Sequence, residues 1–163
     1  MRSKIALFML ACSLVLQAQV KLQPLFSSNM VLQQQANVPI WGETKPGKNV
    51  EVTTSWNRKA YTTKADHQGK WKIVVKTPAA GGPYNIRITD GVPVHLKNVM
   101  IGEVWLCSGQ SNMEMPIEGW GKIQNYKAEE LEAQRHPNIR LLQINRVTGT
   151  EPAEHASAVA DGW

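Results

Sequence analysis

Three stretches of this chain alternate apolar and polar residues with a period of two, which commits much of it to strands with one buried face. Val50, Val52, Thr54 and Trp56 are interleaved with Glu51, Thr53 and Ser55. Trp71, Ile73 and Val75 are set against Lys70, Lys72, Val74 and Lys76, and Tyr84, Ile86 and Ile88 against Asn85, Arg87 and Thr89. Between them stand the turn sequences Lys45-Pro-Gly-Lys48, Asp66-His-Gln-Gly69, Ala80-Gly-Gly-Pro83 and Asp90-Gly91. Glycine and proline at these places supply the backbone angles that reverse a chain. Short strands at such spacing predict an antiparallel β-sandwich over residues 19–97.

After Asn98 the pattern changes. The run Val99-Met-Ile-Gly-Glu-Val-Trp-Leu-Cys107 reads as a buried strand, and Gly109 would permit the sharp reversal after it. Gln124 to Arg135, with Tyr126, Glu129, Glu130, Ala133 and Gln134, suits a helix that His136-Pro137 stops. Ile139-Arg-Leu-Leu-Gln-Ile144 then reads as a strand buried on both faces. Strand, helix and strand predict a parallel βαβ unit, so residues 98–163 are expected to begin an α/β domain. Two strands make too small a parallel sheet, and this domain is expected to be incomplete here. Trp71 and Trp105 fall in apolar strand patterns as core residues, with Trp41 in a similar context. Cys107 reads as a buried strand residue rather than a nucleophile.

Residues 1–18 stand apart from the fold. Arg2 and Lys4 precede an apolar run from Ile5 to Leu16, and Ala18 offers a small residue for cleavage before Gln19. The run falls short of the roughly 20 residues that cross a bilayer as a helix. A secretory signal peptide is expected, giving a secreted or periplasmic protein with no membrane segment once it is removed. Met9-Leu-Ala-Cys12 raises the rival of a lipid-anchored Cys12, which the continued apolar run through Leu14, Val15 and Leu16 disfavours. Removing Arg2 and Lys4 from the 18 basic residues leaves 16 against 13 acidic ones, a net charge of +3. These charges are scattered, so nucleic acid is not an expected partner.

The residues with most chemistry are Trp105-Leu-Cys-Ser-Gly-Gln-Ser-Asn-Met113. They place the Ser111 hydroxyl on a turn at the carboxyl end of the predicted strand, where open α/β sheets bind ligands and where a starting helix presents free N–H groups. Ser111 also suits a second role, capping that helix, since Glu114 follows at the spacing of a capping box. The chain lacks the Gly-x-Ser-x-Gly elbow, having Met113 two residues after the serine.

Gly109-Gln-Ser-Asn-Met113, introduced by Gly102-Glu-Val-Trp-Leu-Cys-Ser108 and continued by Glu114-Met-Pro116, closely resembles the nucleophile block of sialate O-acetylesterases. Leu25-Phe-Ser-Ser-Asn-Met-Val-Leu-Gln33 and Val38-Pro-Ile-Trp-Gly42 resemble that family's amino-terminal segment. The resemblance implies a serine carbohydrate esterase with a flavodoxin-like hydrolase fold, acting on O-acetylated sugars through an acetyl-enzyme. It assigns Ser111 as nucleophile, with its backbone N–H as one oxyanion donor. It also places the histidine base, its acidic partner and the remaining oxyanion donors in downstream blocks, the first two in an Asp-x-x-His pattern that does not occur in these residues.

A serine hydroxyl needs a base within hydrogen-bond reach. His67, His95, His136 and His155 read as residues of a turn, a strand end, a helix stop and the tail, and His155 is the candidate for a local base. Gln110 and Asn112 flank the nucleophile as candidate sugar contacts or plain turn residues. Trp120, between two glycines, is a candidate wall for an acyl or sugar group. No Cys/His cluster at a metal-ligand spacing occurs, so neither metal nor cofactor is expected. An acetylxylan esterase and a non-catalytic carbohydrate-binding β-sandwich module are the alternatives.

Overall fold

The computed structural model describes residues 19–113, 115–120, 123–145, 149–151 and 163; the expected signal peptide, Glu114 and His155 lie outside these. Eight strands come first: β1 (Lys21–Leu22), β2 (Val31–Gln33), β3 (Asn37–Glu43), β4 (Asn49–Thr54), β5 (Ala60–Lys64), β6 (Lys70–Lys76), β7 (Gly81–Thr89) and β8 (Pro93–Gly102). Among the described residues, a 3₁₀ turn, Ser111–Met113, and an α-helix, α1 (Tyr126–Ala133), follow.

The strands form two sheets, one of three strands in the order β1-β3-β6 and one of five in the order β2-β8-β7-β4-β5. Trp71, Ile73 and Val75 on β6, Val50 and Val52 on β4, and Ile86 and Ile88 on β7 all point into one hydrophobic core with Ile40 of β3. Full burial of a Val or Ile side chain stabilises by about 1.5–3 kcal/mol, so the alternating faces read from the sequence are what holds the two sheets. Trp56 lies outside the strands, half-buried, with its ring edge-on to Tyr84 at 5.6 Å and its indole N–H donating to the Lys76 carbonyl at 3.0 Å. Trp41 is also half-buried, packed edge-on against buried Phe26 at 4.7 Å.

Local chemistry explains the tight places. Between β5 and β6, the Asp66 carboxylate accepts from the backbone N–H groups of Gln68 (2.8 Å) and Lys70 (2.9 Å), and Gly69 takes φ +82°. On β3, Gly42 pairs with Leu22 of β1 and Trp71 of β6, and a Cβ there would lie 2.3 Å from the Lys21 carbonyl oxygen. Only glycine lets β1 close against β3 at that distance.

Pairing is antiparallel throughout except between β2 and β8, which run parallel. That exception to the expected antiparallel arrangement has a simple origin. A parallel pair needs a long connection, and these two strands are separated by the whole intervening fold.

The expected strand over 99–107 forms only as far as Gly102, as the end of β8 in the five-stranded sheet. From Glu103 to Gly109 no strand forms, Trp105 is 82% and Leu106 90% exposed, and Cys107 is exposed, which overturns the expectation that Trp105 and Cys107 are core residues. Apart from an isolated bridge at Ile144, no strand forms over Ile139–Ile144, and Leu141 is 82% exposed. The βαβ unit is therefore not formed among the described residues. An apolar run becomes a buried strand only when neighbours pair along its backbone and cover its faces, and the exposed Trp105, Leu106 and Leu141 have no such cover among the described residues. The helix expected over 124–135 is present as α1, ending before His136-Pro137.

Candidate active site

The segment carrying Ser111 leaves β8 through a fixed exit. Gln34 donates its backbone N–H to the Gly102 carbonyl at 2.8 Å, and Val104 N–H donates to Gln33 Oε1 at 2.9 Å. The Glu103 carboxylate accepts from Gln34 Nε2 at 2.6 Å and Gln33 Nε2 at 3.1 Å, while Gln34 Oε1 accepts from Ala80 N–H at 2.9 Å. The Gln34 amide, then the Gln33 amide, hold the Glu103 carboxyl below the usual carboxylate range.

Beyond this exit the chain reaches Gln110, whose carbonyl accepts from Met113 N–H at 2.9 Å and so closes the Ser111–Met113 turn. Gly109 does not take the left-handed conformation that a glycine-driven reversal would need. Its part is spatial instead: a Cβ would sit 2.6 Å from Met113 Cγ, so the missing side chain leaves room for Met113 to fold back over it. Ser111 is exposed at the start of the turn, and among the described residues no hydrogen bond reaches its hydroxyl. Gln110 and Asn112 are exposed on either side. Trp120 is 63% exposed and follows Gly119, which takes φ +116°.

None of the histidines in the described residues is hydrogen-bonded to Ser111. His67 sits in the Asp66–Gly69 turn, His95 lies opposite Arg87 in the β7–β8 ladder, and His136 Nε2 lies 3.2 Å from Glu132 Oε1. Glu118 accepts from the Tyr126 hydroxyl at 3.0 Å, tying the loop after the Ser111 turn to α1 and raising the phenol above its ordinary value. Among the described residues no three His, Cys, Asp or Glu side chains are grouped to hold a metal ion, and no helix is long and apolar enough to cross a membrane.

Two further contacts were not anticipated from the sequence. Arg140 reaches back to Asn29 and Asn98, and the Trp163 indole N–H donates to the Leu25 carbonyl at 2.9 Å. The one signal for the first is a charged residue set inside the apolar run Ile139–Ile144.

No protein-family model matches the chain. In a match of 149 residues that covers 84% of the chain, it is 32% identical to the sialate O-acetylesterase of Pongo abelii and 31% identical to that of Homo sapiens. The Mus musculus sialate O-acetylesterase is 28% identical over 144 residues. The crystal structure of a carbohydrate acetylesterase from Xanthomonas citri matches 86% of the chain with a TM-score of 0.77 and 29% identity. The chain is similar to the sialate O-acetylesterases. A continuous stretch of 84% of 163 residues necessarily contains residues 28–136, so the similarity to sialate O-acetylesterases takes in β2 to β8 and the Ser111 turn. The chain spans 28% of the length of the Pongo abelii and Homo sapiens relatives and 31% of the Xanthomonas citri structure.

Proposed function

We propose that these residues are the amino-terminal part of a carbohydrate O-acetylesterase, a β-sandwich followed by the start of a flavodoxin-like hydrolase domain, with Ser111 as nucleophile. The observation that carries the reading is the exposed Ser111 hydroxyl opening a helical turn, with no hydrogen bond among the described residues, inside a stretch similar to sialate O-acetylesterases. A serine in this position is open to an acyl group and is not held in a capping contact by any described residue.

In the whole protein, a histidine outside the described residues takes the Ser111 proton as its oxygen attacks the acetyl carbonyl. The Ser111 backbone N–H donates to the developing oxyanion. The sugar hydroxyl leaves with the proton, and water then releases acetate from the acetyl-enzyme. An O-acetylated sugar is the substrate class, with sialic acid its first candidate from the relatives' names and acetylated xylan its second. Gln110, Asn112 and Trp120 flank the turn as sugar contacts. Cleavage after Ala18 would deliver the protein outside the cytoplasm.

Treating the whole protein with a fluorophosphonate and mapping the adduct by peptide mass spectrometry tests the assignment. A single adduct on Ser111 is expected. An adduct on another serine, or none in a preparation that hydrolyses acetylated sugars, refutes it.

A further inference from the structure

Asn29 and Asn98 both take left-handed backbone conformations, with φ +70° and +55°. Non-glycine residues rarely do so, and asparagine is among the few that tolerate it. Asn29 stands just before β2, and Asn98 stands in β8 where the register with β7 shifts between Tyr84 and Ile86. A bulge of this kind takes backbone groups out of the ladder. The two residues are joined by a hydrogen bond from Asn98 Nδ2 to Asn29 Oδ1 at 2.8 Å, and by Asn29 N–H donating to the Lys97 carbonyl at 2.9 Å.

Arg140 fills the cradle they make. One guanidinium nitrogen donates to the Asn29 carbonyl at 2.6 Å and the Asn98 carbonyl at 2.5 Å, and the other to Asn98 Oδ1 at 3.1 Å. A planar fork meets three fixed acceptors that a lysine ammonium, a single point of charge, does not span together. At the other end of β2, Gln33 and Gln34 hold Glu103. The segment 104–139, which carries Ser111, is thus tied to the flanks of one short strand at both of its ends.

We propose that Arg140 is a positioning residue of the esterase site: through the Asn29–Asn98 cradle it fixes the far end of the Ser111 segment on the β-sheets. The sheets then serve as the base plate of the site. The inference rests on the reading of Ser111 as nucleophile. Small displacements of a catalytic group are costly, about 10²-fold in rate for 1 Å.

The test has two arms. In the whole protein, kcat is measured per site titrated by fluorophosphonate for Arg140→Ala, Arg140→Lys and Ser111→Ala. Arg140→Ala should lower kcat by roughly tenfold to 10²-fold with KM little changed, and Arg140→Lys should restore less than half of the loss. In the 163-residue chain, hydrogen exchange is followed by mass spectrometry. Arg140→Ala should speed exchange in peptides covering 27–31 and 97–100 about fivefold or more, with 70–76 unchanged. Unchanged kcat per titrated site, full rescue by lysine, or unchanged exchange overturns the proposal. If Ser111→Ala keeps full activity, the serine reading has failed and exchange alone decides whether Arg140 anchors the segment.

Discussion

Replacing Thr77 by valine isolates one buried hydroxyl that ties three strand ends together. Thr77 follows β6 and is only 2% exposed. Its Oγ1 donates to the Gln33 carbonyl at the end of β2 (2.7 Å) and accepts from the N–H of Ala36 just before β3 (3.0 Å). Valine has nearly the same shape, so the change creates almost no cavity and removes only the polar contacts. The Ala36 N–H and the Gln33 carbonyl each lose a partner, and a buried group left unpaired costs about 1–3 kcal/mol. Ala36 is half-buried, so water relieves part of its loss, and the sum is about 2 kcal/mol. One kcal/mol moves the midpoint of a 60–100-residue domain by about 4–8 °C, so Tm should fall by roughly 8–16 °C. Thermal melts followed by tryptophan fluorescence on the wild type, Thr77→Val and Thr77→Ser measure it. Serine keeps the hydroxyl and should lose less than valine. A Thr77→Val melt within about 2 °C of wild type, or a serine variant less stable than the valine one, would refute the reasoning.

Gly42→Ala sets a methyl 2.3 Å from the Lys21 carbonyl oxygen, so β1 must move away; a loss of about 1–3 kcal/mol in a urea titration is expected, and an unchanged midpoint would contradict it. The Asp66 carboxyl lies below its ordinary value, chiefly through the Lys70 backbone N–H, so its contribution is present above the unfolded value and is lost as pH falls through the folded one. Melting temperatures from about pH 5 down to pH 2 should therefore fall less steeply in Asp66→Asn than in the wild type, and equal slopes would rule this out. Purified residues 19–163 should show no turnover of an acetylated chromogenic substrate above background, whereas activity that disappears with His155→Ala would show that the base is local.

The strand faces were legible because alternation over β4, β6 and β7 is a local property, and Trp71, Ile73 and Val75 point inward just as their spacing requires. The Asp66–Gly69 turn and the end of α1 before Pro137 were legible for the same reason: their causes lie within a few residues. Burial after Gly102 was not. Val99–Cys107 is apolar apart from Gly102 and Glu103, but whether Trp105 or Cys107 is covered depends on strands that do not belong to that run. Ser111 was legible as a residue on a turn, but the turn closes through Gln110 and not through a left-handed Gly109, and the strand expected to lead directly into it already ends at Gly102. The Arg140 anchor depends on two left-handed asparagines almost 70 residues apart, 29 and 98, whose carbonyls converge only once β2 pairs with β8. No local pattern reports such a convergence.

The central claim is that Ser111 is the nucleophile, and steady-state kinetics with a thermal melt on Ser111→Ala in the whole protein test it most directly. Loss of the attacking oxygen and of its partnership with the base should lower kcat by a factor on the order of 10⁴ or more, with Tm nearly unchanged. If Ser111 instead caps the turn, the substitution should cost about 1 kcal/mol of stability and leave kcat close to wild type. Near-normal turnover with a lowered Tm would contradict the account.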